Sequence, residues 1–195
     1  MSARITAVSL TGLLALTLAI VTLMAAASTA QAEERVCRGT IGGATVDNLR
    51  VPQGAACTLN GTRVEGTIKV ERNATLTASG VRVKGNVQSE EFKTVRLVNG
   101  SVVVGSVQLK NGLSGGLASV NSSRINGDLQ FESNRARVVT RSSTVLANLQ
   151  AVQNKGGVAF TNNRISENLQ CKENNPRPTG GGNVAGDKEG QCAAL

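Results

Sequence analysis

The chain has 195 residues, with 21 Lys and Arg against 13 Asp and Glu and a formal net charge of +8, and it contains no His, Trp or Tyr. Without His it lacks the commonest general base near neutral pH and the commonest metal ligand. With only Phe92, Phe131 and Phe160 as aromatics, it also lacks the usual platforms for sugar rings and stacked bases, so hydrolase, metalloenzyme and single-strand-binding readings lose weight.

At the N-terminus Arg4 precedes an uncharged apolar run, 10–27, which ends in STAQA (28–32) with Ala30 and Ala32 in small-x-small spacing. Residues 1–32 therefore read as a secretory signal peptide cut before Glu33. The competing reading is a retained anchor, but eighteen residues is at the short end for a bilayer span, and no stable membrane insertion is expected after cleavage. Cys37 follows Glu-Arg-Val, which is not a lipobox. The expected location is outside the cell: extracellular, cell-surface or periplasmic. Cleavage removes one cation and leaves 163 residues with 20 Lys and Arg against 13 Asp and Glu, enough for one domain. Such a basic exported chain attracts polyanions, with cell-wall polymers and acidic extracellular polysaccharide the natural candidates. Nucleic acid is not an expected partner.

From residue 63 onward one phrase recurs: RVEGTIKV, RVKGNVQS, VVVGSVQL, RINGDLQF, TVLANLQA and RISENLQC. Its first apolar residue falls at Val64, Val83, Val103, Ile125, Val145 and Ile165, in steps of 19, 20, 22, 20 and 20. Apolar residues alternate within the phrase, the two-residue period of a strand. A second row is Ile68, Val87, Val107, Leu129, Leu149 and Leu169, and a third is Val70, Ser89, Leu109, Phe131, Ala151 and Cys171. Between the first two rows stand Gly66, Gly85, Gly105 and Gly127, then Ala147 and Glu167, which read as a corner with little room for a side chain. A looser fourth row is expected five to seven residues before the phrase, at Leu59, Leu76, Leu97, Val120, Val139 and Phe160. A coil of about 20 residues cannot bury its inward side chains alone, so it must stack on the next. The fold class is thus all-β, a single-stranded parallel β-helix or β-solenoid, with right-handed winding favoured because strict hexapeptide spacing is absent. It would be roughly 30–40 Å long at about 4.8 Å per coil.

Cys37 and Cys57 are 20 residues apart, and Cys171 and Cys192 are 21 apart. Each gap is one coil, which places the thiols within disulfide reach and selects Cys37 with Cys57 and Cys171 with Cys192 from three connectivities. A zinc site is the competing reading, but there is no His and no Cys-x-x-Cys pair, and the destination is oxidising. No cofactor or metal is expected. The domain reading is 1–32 signal peptide, 33–175 parallel β-helix repeats, and 176–195 a Pro/Gly-rich cap joined by a disulfide.

The tail NLQCKENNPRPTGGGNVAGDKEGQC (168–192), with the GNVQ and GDLQ phrases, resembles a group of uncharacterised secreted bacterial repeat proteins. That resemblance covers nearly all of the mature chain and implies a bacterial source, but it brings no activity with it. In architecture alone the chain is similar to bactofilins, polymer-forming bacterial β-helix proteins.

Stacking turns repeated positions into stripes. Before the first apolar row stand Arg63, Arg82, Val102, Arg124, Thr144 and Arg164. The four arginines suit a linear polymer bearing phosphates or carboxylates, since each guanidinium fork takes two oxygens; the bland alternative is a solvated charged face. A second stripe, Lys69, Gln88, Gln108, Gln130, Gln150 and Gln170, and a third, Thr67, Asn86, Ser106, Asp128, Asn148 and Asn168, read as ladders that tie coils together, with glycan binding as the alternative. Parallel β-helices also host polysaccharide lyases and hydrolases, which need carboxylates or a basic residue in a groove. Here Asp47, Asp128 and Asp187 are scattered and no insertion is long enough to wall a groove, so no enzyme is expected. The expected function is a secreted structural or adhesive protein of the bacterial surface or matrix, binding anionic polymers through the arginine stripe. A lyase-like enzyme and a self-assembling polymer are the alternatives.

Overall fold

The structure is a computed structural model that describes residues 33–195; the expected signal peptide lies outside the described residues. Those residues form strands and turns, with no helix, and so hold none long and apolar enough to cross a membrane. The chain runs through β1 (Glu34–Val36), β2 (Gly39–Ile41) and β3 (Thr45–Val46), and returns at β4 (Asn48–Val51) to lie parallel to β1. This circuit repeats through three parallel sheets, A with nine strands, B with eight and C with seven. The result is a β-solenoid of about eight turns.

The recurrent phrase occupies sheets C and A. In sheet C, Val64, Val83, Val103, Ile125, Val145 and Ile165 lie in one register, which Val46 extends by one coil. In sheet A the second and third apolar rows stack as expected. Every member of the three rows is buried, and each fully buried Val, Leu, Ile or Phe contributes about 1.5–3 kcal/mol. Ser89 is tolerated in the third row because its hydroxyl donates to the Val70 carbonyl at 2.8 Å.

Sheet B corrects the fourth row. It has two inward rows: Cys57, Leu76, Val95, Ala118, Val138 and Val158 in one, and Leu59, Ala78, Leu97, Val120, Thr140 and Phe160 in the other. Leu76 thus belongs beside Cys57 and Val95, and Val139 is only half-buried while its neighbour Thr140 faces the core.

Each of the three corners carries a polar ladder. Between sheets C and A, the side-chain oxygens of Asn48, Thr67, Asn86, Ser106, Asp128 and Asn148 each accept the backbone N–H of the equivalent residue one coil onward, at 2.8–3.2 Å. Between A and B, buried Asn134, Asn154 and Asn174 accept in the opposite sense, each from the coil before, and Gln191 closes the series. Between B and C, Ser101, Ser143, Asn163 and Asn183 do the same. Buried backbone donors at a corner need such partners, because no strand covers them.

Both expected disulfides are present, with Cα separations of 5.6 and 5.2 Å. Their register differs from the simple one-coil picture. Gly39 lies opposite Cys57 and Gly190 opposite Cys171, so Cys37 and Cys192 sit two residues beyond, in the turns that close the ends. Both are almost fully buried, so the bridges cover the open ends of the core. The segment 176–195, read from sequence as a cap, has strands of its own: Thr179–Gly181 pairs with sheet B and Asp187–Gly190 with sheet A.

Candidate polyanion-binding face

Sheet C places Arg63, Arg82, Val102, Arg124, Thr144 and Arg164 in a single outward row. The strands are two residues long, so each arginine is followed at once by a buried Val or Ile that anchors it. All four arginines are exposed and none joins an ion pair among the described residues. Glu65, two residues past Arg63, pairs with Lys84 of the next coil rather than with Arg63 or Arg82. Arg124 is oriented by Asn126, whose Oδ1 accepts from its Nε at 3.0 Å.

The spacing is uneven. Arg63 and Arg82 are one coil apart, whereas Arg82 to Arg124 and Arg124 to Arg164 are two coils each, or about 9.6 Å. Val102 fills the first gap and Thr144 the second, and Val104, 39 % exposed, adds a small apolar spot beside the row. Like charges this close favour an anion between them.

On sheet A the glutamine row is in register. Gln130 donates to Gln150, Gln150 to Gln170, and Gln170 to Glu189. These amides are committed to one another, whereas Gln88 and Gln108 make no side-chain hydrogen bond among the described residues and line a hollow of about 500 Å³. The row Thr67 to Asn168 is taken up by the corner ladder described above. All three Phe are buried, leaving no aromatic ring on the surface of the described residues.

Among the described residues no group of three or more Cys, Asp and Glu is arranged to hold a metal ion, and all four cysteines are in disulfides.

One surface feature escaped the sequence reading, a cleft at the corner between sheets A and B. The turn entering sheet B is three residues long at 91–93 but six at 111–116, and this longer turn supplies Gly112, Leu113 and Ser114 to the lining. No long loop is inserted among the described residues; one side of the cleft is this turn, three residues longer than that of the preceding coil. Arg135 and Lys155 also line it. The signal for them is in the sequence, since each follows an asparagine, Asn134 and Asn154, one coil apart.

The chain matches no known family, no curated protein and no solved structure, so its function is argued from this geometry alone.

Proposed function

We propose that the protein is a secreted structural or adhesive rod of a bacterial surface or matrix that holds a linear anionic polysaccharide along sheet C. The observation that supports this most is the single outward row of four exposed arginines without carboxylate partners. Two disulfides fit an oxidising, exported location. Guanidinium forks suit carboxylates, and two-coil steps of about 9.6 Å are near the length of one β-linked disaccharide. Phosphates on a DNA strand follow one another about every 3.4 Å, far denser than the stripe, and there is no exposed aromatic among the described residues on which a base could stack.

The test is retention on purified cell wall and on acidic polysaccharide across a salt series. Retention falls as salt rises, and the variant with Arg63, Arg82, Arg124 and Arg164 all changed to Ala elutes at markedly lower salt. Unchanged elution of that variant would reduce the row to a solvated face.

A further inference from the structure

The cleft between sheets A and B encloses about 640 Å³, within the size range of small-ligand sites. Along it run Glu91, Asn111, Ser133, Gln153 and Glu173, all with positive φ near 55°, a column of left-handed turns one per coil. Next to this column stand Arg135 and Lys155 on adjacent coils. Their positions are fixed from within: each follows a buried ladder asparagine, and their backbone N–H groups donate to Gly112 and Asn134 at 2.8 and 2.7 Å.

The charges of the cleft are unequal in availability. Glu91 pairs with Arg72 at 3.4 Å. Glu173 accepts from Gln153 at 2.7 Å and pairs with Lys172; the Gln153 bond, then Lys172, hold its carboxyl below the usual carboxylate value. Arg135 and Lys155 have no ion-pair partner among the described residues. Two neighbouring cations in a concave site repel until an anion comes between them. Of the rest of the lining, Asn111 donates to Glu90, Ser133 to Gln153 and Gln153 to Glu173, which leaves the Ser114 hydroxyl and the second amide N–H of Asn111 and Gln153 for a ligand, with Leu113 as the large apolar side chain.

We propose that this cleft is a second binding site, separate from the arginine row, for a sugar carboxylate. The carboxylate lies between Arg135 and Lys155, where the guanidinium takes both oxygens, and the sugar hydroxyls meet the amides and Ser114. The carboxyl groups of Glu91 and Glu173 at the ends disfavour a ligand with further negative charge nearby.

Calorimetric titration of the mature protein with glucuronate, glucose, 1-O-methyl glucuronide and inorganic phosphate tests this. Glucuronate binds and glucose does not. Arg135→Gln and Lys155→Gln each weaken glucuronate binding by roughly tenfold, and Arg38→Gln, at an exposed arginine of the first coil outside both sites, leaves it unchanged. Methyl glucuronide that binds as well as the free acid supports the site with a glycan end as ligand source; loss of binding on methylation supports it with the free sugar acid. Equal binding of glucose, tighter binding of inorganic phosphate, or glucuronate binding unaffected by both cleft substitutions overturns the proposal. Because the cleft residues are exposed, unchanged thermal unfolding of the two variants confirms that the loss is local.

Discussion

Asn154 spends its whole side chain on its neighbours. Its Oδ1 accepts from the Asn134 backbone N–H and Nδ2 at 3.1 and 2.8 Å, and its Nδ2 donates to the Phe131 carbonyl and to Asn174 at 3.0 and 2.8 Å. Asn154→Leu would remove these bonds and strand the Asn134 amide groups out of reach of water. At about 1–3 kcal/mol per orphaned buried group, the urea midpoint should fall steeply. Thr140 is the opposite case, since it is fully buried and its hydroxyl has no partner. Thr140→Val keeps the shape and removes the unpaired group, so it should stabilise by about 1 kcal/mol, read as a higher urea midpoint. Neither residue's place was legible beforehand, and for the same reason. Polarity suggests the surface, so nothing in the sequence marks Asn154 as buried, and in RVVTR the apolar Val139 is chosen over Thr140. Corner geometry creates buried donors that only a polar residue can satisfy, and a hydrophobicity pattern is blind to that demand.

Among the elements, the phrase that builds sheets C and A was readable because its two strands are joined by a corner of fixed length. At that corner Gly85, Gly105 and Gly127 each donate to the glycine carbonyl one coil back, at 2.9–3.1 Å. A Cβ on Gly85 would stand 2.6 Å from the Gly66 oxygen, and Ala147, which has a Cβ, makes no such bond among the described residues. Gly85→Ala should therefore destabilise by about 1–3 kcal/mol, measurable as a lower melting temperature, with faster amide exchange at 82–88. Sheet B was misaligned although the turn between it and the phrase is two residues in every coil from 61 on but one: Leu76 and Val139 are more apolar than Ala78 and Thr140, the residues that occupy the inward row. The cysteine pairing survived this error, since a thiol two residues beyond the register partner still reaches across the end of the core. Replacing Cys171 and Cys192 together by Ser opens a loop of 21 residues; chain-entropy reasoning puts the cost at about 3 kcal/mol. Loss of exchange protection should begin at Asp187–Gly190 and spread inward, and uniform loss along the rod would count against end-fraying.

For the whole molecule, the gaps in the arginine row are as informative as the arginines. Thr144→Arg and Val102→Arg together would put a cation on every coil from Arg63 to Arg164, changing the step from about 9.6 to about 4.8 Å. If the native spacing matters, this variant should gain more affinity for a polymer with a carboxylate on every sugar than for one with a carboxylate on alternate sugars. Equal gains on both would mean that charge alone decides. The corner ladders set a further property of the rod. Where all three ladders run, a coil gives hydrogen bonds to one neighbour and takes the matching ones from the other, so residues 144–163, which carry Asn148, Asn154 and Asn163, are complementary to a copy of themselves. A tandem duplication of those twenty codons would lengthen the rod by one rung and leave both ends intact. An insertion of part of a coil that no turn takes up, as the longer turn at 111–116 does, would leave a corner donor facing no acceptor. Changes in the length of such a gene are therefore tolerated in whole-coil quanta, and the molecule can be lengthened by copying without any redesign.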